Sequence, residues 1–464
     1  MKKLNALMIC VLLAACGGDS GSGNDGGNAN ADARVTGPND VEPMLISGGG
    51  VSSGAVHGEI NVHAIDDESG AAISGATVRV GDAGAGALEN QTDGSGLAVF
   101  IDESLIGPQM VTVSANGYAA ATWIGVNGAN VTVTLAKNPR TPVPMASVSG
   151  SISLPAPGGL GEKYTLAIVL YSWSPTYGAR ENSIPQPMNG DTPANFCIRT
   201  ILDGASCNWQ MNTRVGKQIH YAVIVEGDTE GTTDDVTDDT YEILGYSVQP
   251  AVTLSAGQSL TGVTLSLTTL PTTDVSVQFP SAPAGAGDML AFPFIDAGDA
   301  GQLVFPLPTL SPGATTTKVP SLVGAFAGMS YQLVGLAVAN QDSARPYSVS
   351  FARSVTFSGS ETLNSFLPLP SAVTNSGDTY SFTGAPGAAT HFVTLADASD
   401  NPAWTVLILD GSTSFTLPAL TPDPRAGRSL EVRVTGADLS GFNPSNFAIP
   451  SFADQMARAS EATN

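Results

Sequence analysis

The sequence predicts an all-β chain made of tandem β-sandwich domains. The prediction rests on short runs in which apolar and polar residues alternate, on frequent turn residues between the runs, and on a low content of charge. Alternation with a period of two places every second side chain on one face of a strand. Gly (52 residues) and Pro (31 residues) supply the turns, and turns at short intervals between strands are typical of sandwiches.

The charge balance is strongly acidic. Lys and Arg number 18 against 41 Asp and Glu, and charged residues make up only 13% of the 464 residues. Proteins that bind nucleic acids need clustered basic side chains to neutralise phosphates. Nucleic acid is therefore excluded as an expected partner.

The first 15 residues have the pattern of an export signal. Basic Met1-Lys2-Lys3 precedes a mostly apolar run, Leu4 to Leu13, which is too short to span a membrane as a mature helix. The sequence Leu13-Ala14-Ala15-Cys16 then resembles the lipobox of bacterial lipoproteins. The resemblance implies cleavage before Cys16, lipid on its thiol, and the membrane as a partner. Gly17 in place of Asp implies the outer membrane, facing the periplasm or the cell surface. An ordinary secretory signal that contains a Cys is the alternative.

Residues 16–54 are rich in Gly, Ser and Asn and show no period. Such a segment is expected to be a flexible tether after the lipidated Cys, because it has little apolar surface to offset its ordering entropy. It ends in Gly50-Val51-Ser52-Ser53-Gly54, which matches the G-x-S-x-G pattern of hydrolases. A nucleophile elbow needs a strand before the Ser and a helix after it. Within a tether, Ser52 is not expected to be catalytic.

Residues 55–137 contain three motifs of one known domain type. They are the strand entry Gly70-Ala71-Ala72-Ile73-Ser74-Gly75-Ala76-Thr77-Val78, the hairpin Thr92-Asp93-Gly94-Ser95-Gly96 and the corner Asn116-Gly117-Tyr118. Their order and spacing resemble the carboxypeptidase regulatory-like domain. This resemblance implies a transthyretin-like sandwich of seven strands, with a spacer or binding role and no catalytic residues of its own. We expect the rest of the chain to continue as similar Ig-like or transthyretin-like sandwiches.

Residues 146–270 are predicted to form a second, larger sandwich. A long Pro/Gly/Asn-rich stretch between Leu170 and Tyr221 contains Cys197 and Cys207. Exported proteins form disulfides in oxidising compartments, so this pair is predicted to be a disulfide. A free thiol pair or a metal site is the alternative, and the absence of a nearby His in the sequence argues against the metal.

Residues 272–370 and 371–464 are predicted to be third and fourth β-domains. Phe279-Pro280-Ser281-Ala282-Pro283 is followed about 100 residues later by Phe382-Thr383-Gly384-Ala385-Pro386. This similarity indicates either a duplication or a chance match between Pro-rich turns. A short helix over Ser451 to Glu461, capped by Ser451, is expected to end the chain.

A cluster of carboxylates makes calcium the one cofactor to consider. Eight acidic residues lie between Glu226 and Glu242, and Ca²⁺ prefers six to eight oxygen ligands from a flexible loop. The candidate ligands are Asp228, Glu230, Asp234, Asp235, Asp238 and Asp239. The alternative is a solvated acidic loop with no metal.

Four aromatic residues suggest a ligand site in the second domain. Aromatic faces can stack on the apolar faces of sugars, and aromatic side chains also pack in cores. The candidates are Tyr171, Trp173, Tyr177 and Trp209. Either they bind a glycan or they belong to the core.

The histidines give no catalytic pattern. His57, Glu59 and His63 share one side of a predicted strand, which is expected to face solvent, and His57 and His63 would be about 20 Å apart, too far to share a metal. We therefore expect a non-enzymatic, exported binding or adhesion module, with a glycan or an envelope protein as ligand. A structural spacer or assembly scaffold is the first alternative, and a carboxylate-based hydrolase is the last.

Overall fold

The computed structural model describes residues 41–84, 86–158, 163–174, 187–189, 192–229, 240–268, 271–304, 315–339, 346–355 and 360–463. Nearly all regular structure in these ranges is β-strand, so the prediction of an all-β chain of tandem sandwiches is confirmed. No helix in the described ranges is both long and apolar enough to cross a membrane. Cys16 lies outside the described residues.

The first sandwich packs two sheets against each other. Strands β1, β8, β2 and β5 form one sheet in that order, and β7, β6, β3 and β4 form the other. The strands are β1 (Gly50–Ser52), β2 (His57–Asp66), β3 (Thr77–Val80), β4 (Leu88–Gln91), β5 (Leu97–Ile106), β6 (Gln109–Ser114), β7 (Ala120–Val126) and β8 (Asn130–Leu135).

The second sandwich has a four-stranded sheet, β13-β10-β16-β17, and a three-stranded sheet, β14-β9-β19, with the small pairs β11-β12 and β15-β18 beside them. The strands are β9 (Met145–Ser153), β10 (Lys163–Tyr171), β11 (Met188–Asn189), β12 (Thr192–Pro193), β13 (Phe196–Arg199), β14 (Ser206–Arg214), β15 (Gly216–Gln218), β16 (His220–Asp228), β17 (Thr240–Val248), β18 (Val252–Leu254) and β19 (Ser259–Ser266).

The third sandwich has the sheets β23-β20-β26 and β22-β21-β24-β25, and short 3₁₀ turns at Gly298–Ala300 and Gly324–Phe326. The strands are β20 (Thr272–Gln278), β21 (Asp288–Asp296), β22 (Gln302–Val304), β23 (Thr315–Pro320), β24 (Ser330–Val338), β25 (Tyr347–Val355) and β26 (Ser360–Thr362).

The fourth sandwich repeats this plan with the sheets β27-β28-β31 and β34-β32-β29-β30. A 3₁₀ turn, Ile449–Ser451, leads into its one short helix. The elements are β27 (Ser371–Ser376), β28 (Thr379–Thr383), β29 (Thr390–Ala396), β30 (Pro402–Ile408), β31 (Ser414–Thr416), β32 (Glu431–Leu439), β33 (Phe447–Ala448), α1 (Phe452–Gln455) and β34 (Met456–Thr463).

Three of the sandwiches are joined edge to edge. Strand β34 pairs with β25 of the third sandwich, and β30 pairs in parallel with β7 of the first, with Trp404 opposite Ala120. The result is a single twelve-stranded sheet that runs through the third, fourth and first sandwiches. The order in space therefore differs from the order in the chain, because the fourth sandwich lies between the third and the first.

The second sandwich is held to the third by a shared core. Tyr221, Val223 and Tyr246 of the second sandwich pack in one cluster with side chains of the third, including Val275 and Phe326. The ring centroids of Tyr246 and Phe326 are 6.4 Å apart in an edge-to-face arrangement. Because buried side chains of both sandwiches pack in this cluster, the second and third sandwiches form one packed unit.

Two sequence-based expectations at the chain ends are corrected in part by the structure. The expected tether reaches residue 54, yet β1 lies inside it, with Val51 fully buried between Val131 of β8 and Phe447 of β33. One apolar residue among Gly and Ser gives no period, so this strand is stabilised by distant partners. The expected C-terminal helix covers only Phe452–Gln455 and continues as strand β34. Ser451 does not cap it: its hydroxyl donates instead to the carbonyl of Ala448 at 2.7 Å.

Candidate functional site

A disulfide closes the loop between β13 and β14 of the second sandwich; we call this segment the hairpin, although its two strands do not pair with each other. Cys197 of β13 and Cys207 of β14 are bonded, with 5.8 Å between their Cα atoms. Because β13 and β14 belong to opposite sheets, the bond ties the two layers of the sandwich together. The predicted disulfide is confirmed.

The turn inside this hairpin presents apolar side chains to solvent. Leu202 is 93% exposed, and Ile198 and Ile201 are 44% and 43% exposed. The carboxylate of Asp203 accepts hydrogen bonds from the backbone N–H of Thr200 at 2.8 Å and from its hydroxyl at 2.7 Å. The turn is thus fixed at its base by the disulfide and at its end by Asp203. We call Ile198, Ile201 and Leu202 the hairpin tip.

The residues of the hairpin tip were not among the site residues predicted from the sequence. A signal was present, because Ile201-Leu202 is an apolar pair inside the turn sequence Thr200 to Gly204, between two Cys. Turn residues are normally polar or small. An apolar pair at a turn that cannot reach a core is therefore a candidate contact site.

The aromatic residues predicted to hold a ligand are mostly in the core. Tyr171 and Trp209 are only 6% and 2% exposed and pack in the centre of the second sandwich, so neither offers a face to a sugar. Trp173 is half-buried and meets Phe294 of the third sandwich edge to face, 5.7 Å between ring centroids. Tyr177 lies outside the described residues. For Tyr171 and Trp209 the structure therefore supports the alternative that they belong to the core, and strand alternation alone does not tell which face is inward.

Trp173 belongs to the junction between the second and third sandwiches. Its backbone N–H donates to the carbonyl of Gln302 at 2.8 Å, and its carbonyl accepts from the N–H of Gln302 at 2.9 Å. Next to it, buried Arg214 donates to the carbonyl of Ser172 at 2.9 Å and to that of Ala300 at 3.1 Å. Because a buried cation is costly without hydrogen-bond acceptors, Arg214 helps to hold the two sandwiches together.

The acidic loop is only partly described. Glu226 forms an ion pair with Lys163 at 2.9 Å and accepts the N–H of Gly158 at 2.7 Å, and these contacts hold its pKa below the usual range. Asp228 lies 3.8 Å from the same Lys163. The remaining predicted calcium ligands lie outside the described residues: Glu230, Asp234, Asp235, Asp238 and Asp239. The calcium site stays a prediction.

The expectation that Glu59 and His63 face solvent is wrong. Glu59 is 4% and His63 is 7% exposed, although His57 is exposed as expected. Burial is the main influence on His63 and lowers its pKa, against a smaller opposite effect of Asp93. Residues 41–46, which were expected to be tether, lie against Glu59, where the N–H of Val41 donates to its carboxylate at 3.4 Å, and His63 lies beside Asp93 and Ser95.

The other histidines and Ser52 show no catalytic arrangement. Burial lowers the pKa of His220 to about 4, with a further contribution from Arg214, and burial also lowers the pKa of His391. Ser52 ends strand β1 and is followed by a turn into β2, not by a helix. Within the described ranges, no group of three or more His, Cys, Asp or Glu side chains is arranged to hold a metal ion.

The sequence matches no known family model and no curated protein. Among solved structures, the chain is similar to bacterial proteins at low identity and low TM-scores. The TIE protein of Bacillus anthracis is 11% identical, with a TM-score of 0.15, 67% of this chain covered and 51% of that one. The major pilin BcpA of Bacillus cereus is 9% identical, with a TM-score of 0.15 and coverages of 67% and 99%.

The full-length major pilin SpaD of Corynebacterium diphtheriae is 10% identical, with a TM-score of 0.15 and coverages of 65% and 88%. This chain thus spans about half the length of the TIE protein chain that it matches. Scores at this level carry no argument about function. What is shown is the architecture itself, an all-β chain of tandem sandwiches.

Proposed function

We propose that this chain is an exported, lipid-anchored envelope protein that acts as a non-enzymatic adhesion or binding module and engages a protein partner through the hairpin tip. The observation that carries the proposal is the exposure of Leu202, with Ile201 and Ile198 beside it, on a turn held by a disulfide. A preorganised apolar contact loses little conformational entropy on binding. Exposed aliphatic groups of this kind fill pockets on protein surfaces.

A protein ligand is favoured over a glycan by the side chains available. Tyr171 and Trp209 are buried, and the hairpin tip is aliphatic, so it has no π-face to stack on a sugar. The rest of the body supports presentation of the tip, since the second sandwich shares a core with the third and the third shares a sheet with the fourth and the first.

The continuous sheet also favours the alternative of a structural spacer. A twelve-stranded sheet through three sandwiches resists bending between them. A spacer would need no contact at Leu202. The two functions therefore differ in whether the isolated chain is retained by envelope material.

The test uses the chain from residue 16 on, with Cys16→Ser, applied to envelope fractions before and after protease treatment and to purified cell-wall polysaccharides. A protein ligand predicts retention by untreated envelope, loss after protease, and no retention by polysaccharide. Retention by polysaccharide alone would overturn the protein ligand. No retention on any fraction would leave the spacer as the better account.

Lipid anchoring is tested separately. The lipobox resemblance predicts that the native chain incorporates labelled fatty acid and sediments with the outer membrane. Cys16→Ser is expected to abolish both, because no thiol remains for lipid transfer, whereas Cys10→Ser, inside the signal, leaves both unchanged. Fatty acid incorporation in the Cys16→Ser chain would refute the anchor.

A further inference from the structure

Residues 41–46 lie as an extended strap across the first sandwich and are held through their main chain. The backbone N–H of Met44 donates to the side-chain oxygen of Asn130 at 3.1 Å, and the N–H of Ile46 donates to the hydroxyl of Thr132 at 2.9 Å. In the other direction, Asn130 donates to the carbonyl of Glu42 at 3.0 Å, and Asn61 donates to that of Val41 at 3.0 Å.

The groups that hold the strap form a regular row on the sheet. Asn61 lies directly opposite Asn130 on the parallel strands β2 and β8, Glu59 lies two residues before Asn61, and Thr132 lies two residues after Asn130. Two-residue spacing places all four side chains on one face. All four are nine-tenths or more buried. A row of buried polar side chains is costly unless it is hydrogen-bonded, and here the strap supplies partners. We call Glu59, Asn61, Asn130 and Thr132 the polar slot.

The side chains at the centre of the strap are largely exposed. Met44 and Leu45 are 48% and 52% exposed, whereas Val41, Pro43 and Ile46 are half-buried. The four hydrogen bonds that hold the strap all involve its peptide groups and none of its side chains. Pro43 fits this mode, because it has no N–H to satisfy and keeps the preceding residue extended.

The strap is joined to the body by three glycines. Gly48, Gly49 and Gly50 follow it with φ values of +71°, +91° and +155°, in the region that favours Gly. A Cβ at Gly49 would come within 2.9 Å of the Thr134 side chain. These glycines let the chain turn sharply from the slot into β1.

From these observations we propose that the polar slot is a binding site for an extended peptide read through its main chain, and that Val41–Ile46 is its ligand in cis. The same segment of a second copy has the same peptide groups and fits the same slot in trans. The site differs from the hairpin tip and does not depend on the lipid anchor.

The test is to weaken the cis ligand in the full chain and add it back as a peptide. Met44→Pro removes the N–H that donates to Asn130, and Leu45→Pro is the matched control, because the N–H of Leu45 makes no hydrogen bond within the described residues. The probe is an N-acetylated peptide of residues 41–47 with a C-terminal fluorophore, followed by fluorescence anisotropy. Hydrogen exchange of residues 41–46 reports whether the strap has left the slot.

The proposal predicts fast exchange of the strap in Met44→Pro and peptide binding at least tenfold tighter than in Leu45→Pro. The peptide methylated on the Met44 nitrogen is expected to lose binding, whereas methylation on the Leu45 nitrogen leaves it intact. The two methylated peptides test the slot without a further substitution in the protein. A released strap with no peptide binding, equal behaviour of the two proline variants, or an undisturbed strap in Met44→Pro would each overturn the proposal.

Discussion

Replacing Tyr221 by Phe tests whether the second and third sandwiches form one unit. The Tyr221 hydroxyl donates to the carbonyl of Val304 at 2.7 Å and accepts the N–H of the same residue at 2.8 Å. Tyr221 lies on β16 of the second sandwich, and Val304 ends β22 of the third. The Phe variant keeps the ring and removes only the hydroxyl, and with it both of these hydrogen bonds.

The expected loss of stability follows from the two polar groups of Val304 that lose their hydrogen-bond partner. Tyr221 is 1% exposed, so water cannot replace the hydroxyl. The N–H and the carbonyl of Val304 both lose this partner. A buried polar group without a partner costs about 1–3 kcal/mol. We expect Tyr221→Phe to lower the free energy of unfolding by about 2–4 kcal/mol, because the two losses share one site.

The assay is urea unfolding followed by tryptophan fluorescence, together with calorimetry. Tyr380→Phe is the matched control: Tyr380 is also buried, but within the described residues its hydroxyl has one hydrogen bond, at 3.5 Å from Arg425. The control is expected to cost less than about 1 kcal/mol. Equal losses in the two variants would refute the inference that the Tyr221 hydroxyl joins the sandwiches.

Three further predictions concern stability. Cys197→Ala with Cys207→Ala is expected to lower the free energy of unfolding by about 3 kcal/mol in urea titrations, since the bond closes a short loop; an unchanged midpoint would contradict this. Gly301→Ala, whose Cβ would lie 1.8 Å from a carbonyl of the second sandwich, is expected to cost about 3 kcal/mol, against about 1 kcal/mol for Gly298→Ala, whose Cβ meets open space. For His220, the folded-state pKa of about 4 lies below the usual 6.5, so the unfolded chain takes up the proton first and about 3 kcal/mol of stability is lost as the pH falls from 6.5 to 4. The His220→Phe chain should lose less over that range in pH-dependent melts, and an equal loss would count against this effect.

Strand alternation made the fold class predictable, but not the pairing between distant strands. Val131, Val133 and Leu135 alternate as a half-buried strand should, and all three are buried. The pairing of β30 with β7 joins Trp404 to Ala120. Nothing near either residue indicates that partner, because main-chain pairing carries little sequence information.

The candidate sites were harder to predict than the fold. Two Cys in a chain with the pattern of an export signal were enough to predict the disulfide, because the signal pattern and the Cys spacing can both be read locally in the sequence. Whether Trp209 faces inward and Leu202 outward depends on which layer covers each strand. Glu59 illustrates the same limit, since part of its cover comes from residues 41–46, a segment that has no strand pattern of its own.

The most direct test of the proposed function compares two single substitutions in the retention assay. Leu202→Asp places a charge at the hairpin tip, and Val323→Asp places one at a 46% exposed apolar residue of the third sandwich. We predict that Leu202→Asp lowers envelope retention at least tenfold, with an unchanged melting temperature, and that Val323→Asp retains as the unsubstituted chain does. Full retention of the Leu202→Asp chain would contradict the assignment of the hairpin tip as the contact site.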